Sequence, residues 1–243
     1  MWHCGIGLLL CALISDASAE PLSQRRPIDL ELILAVDNSL SVNTREFDLQ
    51  ISGIAKAFED PDVIGAILSH QGIAVALVLW SNHEQQETGV GWSYLHDAES
   101  IAAFAAKVAN VARIDVSGGT GLGSAMAYAL RLFGTNAFDG KRRVIDVSGD
   151  GQNNMGVEPR AVRDRAVALG LTVNGLAILD EEPRLDGYYA ANVIGGPGAF
   201  LEIAEDFDSF AAAIRRKLVR EIAGRSLVYR LDSSLNRDER RGE

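Results

Sequence analysis

Two stretches of the chain are apolar without alternation. Ile28 to Val36 holds Leu30, Leu32, Ile33, Leu34 and Ala35, with acids only at Asp29 and Glu31, and Ile73 to Ser81 reads IAVALVLWS. Runs of this length and composition predict strands buried on both faces, the first ending at Asp37. Between them, Phe47, Ile51, Ile54, Ala55 and Phe58 recur at helical spacing after the capping residues Ser41 and Asn43, which predicts a helix over Asn43–Phe58. The chain therefore opens as strand, polar turn, helix, strand.

The same reading carries through the rest. Gln86–Trp92 suits a short edge strand, and the Ala-rich Asp97–Val111 suits a helix. The Gly-rich turn SGGTGLGSAM leads into a helix over Leu122–Phe133, and Arg143–Ser148 predicts a strand stopped by Gly149-Asp150-Gly151. A helix over Pro159–Leu169, strands over Leu171–Ile178 and Phe200–Ile203, and a helix over Phe207–Ile222 complete the pattern. Strands alternating with helices predict an α/β fold: a doubly wound, mainly parallel sheet covered by helices on both faces.

Composition bounds what such a domain does. The 243 residues are 47% hydrophobic and 23% charged, which suits one compact domain. A net charge of -10 and a pI near 4.9 argue against phosphate-driven nucleic-acid binding and against attraction to an anionic membrane surface. Residues 1–19 read as a signal peptide, because the apolar run GIGLLLCALI is too short to span a bilayer and precedes Ala17-Ser18-Ala19, a small-x-small cleavage signal. Export to the periplasm or the cell exterior is the expectation, with no membrane insertion once the signal is removed. A lipoprotein reading at Cys11 ranks below it, since Leu10 is bulky where that signal wants a small residue.

The expected organisation is a signal peptide at 1–19, a linker at 20–27, a domain at 28–223 and a charged C-terminal tail at 224–243. Both cysteines, Cys4 and Cys11, fall in the first segment, so the expected mature chain carries no disulfide and no thiolate metal site.

Three polar segments stand at or near the boundaries of predicted elements: Asp37-Asn38-Ser39-Leu40-Ser41, Gly118-Gly119-Thr120 and Gly149-Asp150-Gly151. In a doubly wound sheet the carboxyl ends of strands line one crevice, so these segments can converge. Asp37, Ser39, Ser41, Thr120 and Asp150 together offer two carboxylates and three hydroxyls. An oxygen-only set suits a hard cation such as Mg²⁺, with Mn²⁺ and Ca²⁺ as alternatives.

At these positions the chain resembles the von Willebrand factor A domain family, whose metal-ion-dependent adhesion site combines D-x-S-x-S, a distant Thr and a distant Asp. The resemblance covers about Ile28 to Ile222. It implies that Ser39, Ser41 and Thr120 ligate the metal directly, that Asp37 and Asp150 act through water, and that an acidic group of a protein partner completes the coordination. V-I-D-V-S-G-D-G and N-V-I-G-G-P-G-A-F also resemble a bacterial family of exported A-type domains of uncharacterised function.

Other readings compete with this one. D-N-S-L-S superficially resembles the G-D-S-L block of serine esterases, but those enzymes need a histidine base and no histidine follows His96. The haloacid-dehalogenase pattern D-x-D-x-[TV] fails at Ser39, where its second acid should stand. Gly121-Leu122-Gly123 lacks the G-K-[ST] of a phosphate loop. His70, His83 and His96 read as surface or capping residues. Asp146, inside a predicted strand, is either a satisfied structural carboxylate or a partner of the metal ligands. Asn153, Asn154, Tyr188 and Tyr189 either rim the crevice, where they would contact a partner, or are merely solvated loop residues. The reading that results is an exported, non-enzymatic, metal-dependent protein-binding domain.

Overall fold

The computed structural model of the chain describes residues 25–114 and 117–238, with side chains to residue 224. The expected signal peptide at 1–19 and the first residues of the expected linker lie outside the described residues, as does 239–243 of the tail.

The described strands are β1 (Arg26–Asp37), β2 (Ile73–Trp80), β3 (Gln86–Leu95), β4 (Phe138–Gly149), β5 (Thr172–Ile178) and β6 (Leu201–Ala204). The helices are α1 (Thr44–Glu59), α2 (Pro61–Leu68), α3 (Ala98–Ala109), α4 (Leu122–Leu132), α5 (Pro159–Ala168), α6 (Leu185–Asn192) and α7 (Phe210–Asp238). One sheet holds all six strands in the order β3-β2-β1-β4-β5-β6. Every pairing is parallel except β2 with β3, which places the antiparallel hairpin strand at the edge, where the chain can reverse directly.

Strand alternation sorts the core into two layers. Leu30, Leu32, Leu34, Val36, Val144 and Leu176 pack toward α1, α3 and α7. Ile33, Ala35, Ile145, Val147, Val173 and Ala177 face α4, α5 and α6 on the other side. Capping fixes α1: Asn43 accepts from the Glu46 amide at 3.1 Å while the Glu46 carboxylate accepts from the Asn43 amide at 2.8 Å.

Several boundaries differ from the sequence pattern. β1 begins at Arg26 and takes in the end of the expected linker, and β4 begins at Phe138 because its first residues pair with that extension of β1, Arg26 with Phe138. β3 continues past Trp92 to Leu95 against β2. Two eight-residue helices, α2 and α6, stand where the pattern predicted no element. α7 is broken at the start of the expected tail by non-helical backbone at Gly224, and helix resumes beyond it.

The order of strands fixes where a site can form. From β1 the chain crosses to β2 on one side, and after β3 it returns to β4 on the other side of β1. The reversal leaves a crevice at the carboxyl ends of β1 and β4, the position at which doubly wound sheets bind ligands.

Candidate metal centre

Asp37 ends β1 and Asp150 follows the last residue of β4, so both carboxylates stand at the reversal point. The turn after β1 is pinned from three sides. The Asn38 amide donates to the Trp80 carbonyl at 2.8 Å, the Gln50 side chain donates to the Asp37 carbonyl at 3.0 Å, and the Ser39 amide donates to Asp37 Oδ1 at 2.7 Å. These bonds hold Ser39 and Ser41 on one side of the turn, where their hydroxyls lie 3.1 Å apart. Ser41 Oγ then donates to Asp150 Oδ1 at 2.8 Å, joining the β1 and β4 loops.

Thr120 reaches the same place through tight backbone approaches. Gly121 donates its amide to the Ser81 carbonyl at 2.7 Å, and a Cβ there would lie 2.4 Å from the Asn82 carbonyl carbon, so only glycine lets the loop sit this low on the end of β2. The Thr120 amide donates to Asn154 Oδ1 at 2.8 Å, while its side-chain Oγ1 stands 3.7 Å from where a Cβ on Gly151 would lie. The structure thus brings the two aspartates and two serines together through direct contacts and sets Thr120 beside the Gly151 loop.

The electrostatics are unusual for a buried site. Asp37 is fully buried and Asp150 is 2% exposed, and Asp37 Oδ2 and Asp150 Oδ2 have no hydrogen-bond partner. Burial pushes the Asp37 carboxyl well above the usual carboxylate range, and the neighbouring charge of Asp150 pushes it the same way. Asp150 is raised to about 6, again chiefly by burial and against the bond from Ser41. Among the described residues neither aspartate forms an ion pair with Lys, Arg or His. Two buried carboxyls with free lone pairs, flanked by Ser39, Ser41 and Thr120 hydroxyls, fit a hard divalent cation in donor chemistry.

The surroundings correct one expectation and extend another. Tyr189 is not on the rim: it is 0% exposed, on α6 under the crevice, because α6 packs its one aromatic face into the core. A Cβ on Gly149 would lie 2.7 Å from Asp37 Oδ2 and 2.8 Å from the Tyr189 hydroxyl, so glycine is needed there for close packing rather than for its dihedral freedom. Asn153 and Asn154 serve the loops: they accept from the Gly123 and Thr120 amides at 3.0 and 2.8 Å. Tyr188, half-buried, accepts from the Asn153 amide at 3.3 Å. Gln50 was missed by sequence reasoning, although it is a polar residue on the apolar face of α1, one turn from Phe47 and Ile54. That displacement from the expected pattern was the available signal.

The alternatives lack their chemistry at Ser39. Its hydroxyl meets Ser41, whereas His70 contacts the Ile222 carbonyl and Asp29, His83 contacts Met155 and Glu84, and His96 lies beside Asp97. No described histidine is therefore placed as its base. Asp146 lies against Lys217 on the α7 side of the sheet and not in the crevice, so it is not a partner of the metal ligands.

The reversed sheet with its three loops at the carboxyl ends of the strands is the fold of von Willebrand factor A domains. The chain belongs to the family described as Protein of unknown function (DUF1194), whose model matches residues 27–226. Among solved structures it is similar to proximal thread matrix protein 1 from the mussel byssus, with a zinc-occupied MIDAS motif, at 16% identity and a TM-score of 0.58 over 84% of this chain and 47% of that one. It is also similar to a von Willebrand factor type A protein from Catenulispora acidiphila, at 21% identity and a TM-score of 0.53 over 80% and 42% of the two chains. A third is the vWF domain of the type V pili tip protein Mfa5 from Porphyromonas gingivalis, at 11% identity and a TM-score of 0.57 over 80% and 95%. The chain spans about half the length of the first matched structures. Comparison with curated proteins returns no match.

Proposed function

We propose that the chain is an exported protein-binding domain of the adhesion type, in which Asp37, Ser39, Ser41, Thr120 and Asp150 hold Mg²⁺ and present it to an acidic group on a protein partner. The observation that carries this reading is the pair of buried, unpartnered oxygens, Asp37 Oδ2 and Asp150 Oδ2, at the reversal point of the sheet. A bound divalent ion supplies the positive charge that an acidic domain lacks there, together with a coordination position for a carboxylate from outside the chain.

The residues of the chain do the rest. The Ser39 amide on Asp37 Oδ1 and the Ser41 hydroxyl on Asp150 Oδ1 orient the two carboxyls toward one space. Leu40, between the two serines, is 59% exposed, an apolar contact beside the polar site that suits a protein surface better than a small ion or sugar. The zinc-bearing motif of the mussel byssus protein supports a divalent ion at such a loop set, and Mn²⁺ and Ca²⁺ compete with Mg²⁺ here.

A pull-down from the source cell envelope tests the reading. The chain should retain a specific protein in Mg²⁺ and release it in EDTA, and Asp37→Ala should retain none. Equal retention in EDTA, or by Asp37→Ala, overturns it.

A further inference from the structure

On the opposite side of the sheet from Tyr189, a lysine, an aspartate and a glutamate meet inside the core. Lys217 Nζ lies 2.5 Å from Asp146 Oδ1 and 3.6 Å from Glu221 Oε1, and the three side chains are 0%, 2% and 1% exposed. Lys217 and Glu221 stand one turn apart on the face of α7 that also carries Ile214, Leu218 and Ile222, and Asp146 projects from the middle of β4. The Phe200 ring covers the amine, its centroid 5.2 Å from Nζ. Asn174 donates to Glu221 Oε1 at 2.6 Å and accepts from the Phe200 amide at 2.9 Å, so the glutamate is held in place.

Two features are odd for an ordinary ion pair. The 2.5 Å approach of Lys217 Nζ to Asp146 Oδ1 is closer than an ordinary N–H···O bond and poorly angled for one. The cluster also sets two acids against one amine in a site closed to water, with the Arg142 guanidinium, 3.0 Å from the Glu221 carbonyl, as the further positive charge beside it. Burial pushes the Asp146 carboxyl well above the usual carboxylate range, opposed by Lys217 and aided by Glu221.

We propose that Lys217 and Asp146 condense to an intramolecular amide that ties α7 to β4, with Glu221 as the proton carrier. Proton transfer from the Lys217 ammonium to Asp146 leaves a free amine facing a neutral carboxylic acid. Because Cγ is bonded to Oδ1, Nζ lies within about 4 Å of the carbon it attacks, close to a near-attack approach. The Nζ–Cγ bond forms, Glu221 takes the proton that Nζ loses and returns it to the departing hydroxyl, and the Cγ–O bond breaks to release one water. Atoms balance without an oxidant or a co-reactant: amine plus acid give amide plus water. Holding the two groups in one closed core replaces the concentration that such a condensation lacks in solution.

Mass spectrometry of the purified full chain decides the matter, with the N-terminus established by sequencing. The proposal expects an intact mass lower than the sequence mass by one water, and a protease fragment in which the segment holding Asp146 is linked to the segment holding Lys217. Lys217→Arg, and Glu221→Gln in chain that keeps its native circular dichroism, should restore the full mass. A full-mass native chain with unlinked Asp146 and Lys217 peptides overturns the proposal, and so does a water loss that maps to other residues.

Discussion

Asp146 lies within β4 and Asp150 just past its end, four positions apart, and each is 2% exposed. The chain treats them differently. Asp146 lies on the α7 side of β4, where Lys217 from the same chain meets it at 2.5 Å and hydrophobic side chains close the space. Asp150 lies just past the strand, where the sheet order reverses, and shares the crevice with Asp37. There the answering groups are a serine hydroxyl and backbone amides, and one oxygen of each acid stays unpartnered. Both clusters spend solvation to bury acid, yet only the inner one has an amine of the same chain, Lys217, against it. The difference supports the proposal that the outer one accepts charge from outside the chain.

Removing the inner amine should cause the largest change. Lys217→Met leaves Asp146 and Glu221 buried without a base and should lower stability by about 3–5 kcal/mol, read from urea unfolding. A loss under about 1 kcal/mol would break the contrast, because the outer and inner acids would then tolerate burial equally well.

The outer cluster should respond in the opposite sense. Asp37→Asn removes one of two neighbouring buried acids, so in EDTA the variant should melt at or above the temperature of the parent chain. Its Mg²⁺ affinity should fall by at least about tenfold, since the loss even of groups that only orient metal ligands costs that much. A lower melting point in EDTA would mean that Asp37 stabilises the fold without a metal. Gly149→Ala probes the packing beneath it: a Cβ 2.7 Å from Asp37 Oδ2 and 2.8 Å from the Tyr189 hydroxyl should cost about 1–3 kcal/mol and weaken Mg²⁺ binding as well.

The smallest effect belongs to an acid that is paired at the surface. Asp29, hydrogen-bonded by Lys141 at 2.7 Å and by the Gln71 amide, is lowered to about 2, with the Lys141 bond as the main cause. Its folded value lies below that of an unfolded aspartate, near about 3.9. The pair therefore stabilises the fold above that value, and the contribution disappears as pH falls toward 2. Lys141 is 72% exposed, so solvent screening keeps the contribution under about 1 kcal/mol. Acid titrations of the parent chain and Lys141→Ala should converge at low pH and differ slightly near neutrality.

The contrast between the clusters also marks how far the sequence could be read. The apolar runs of β1 and β2, the D-x-S-x-S turn, Thr120 and Asp150 carry local signals, and topology alone then gathers them at one crevice. α2 and α6 were not legible, because a single eight-residue helix gives too few turns for a period to show. Lys217 gave no local sign of burial either. In RRKLVREI it resembles one charge among several on a solvated helix face, and only the packing of α7 on β4 and β5 shows that its neighbours Arg215 and Arg216 face outward to Asp62 and Glu202 while it turns inward. Tyr189 was misplaced for the same reason: Tyr188 and Tyr189 are adjacent in sequence, and α6 sends them to different surroundings.

Calorimetric titration of Mg²⁺ into the folded chain tests the central claim most directly, with Asp37→Asn and Thr120→Ala titrated alongside. The account predicts one saturable site in the parent chain, with a loss of at least about tenfold in affinity in both variants while their circular dichroism stays native. No saturable heat with Mg²⁺, Mn²⁺ or Ca²⁺ in the parent chain, or an unchanged isotherm in the variants, would contradict it.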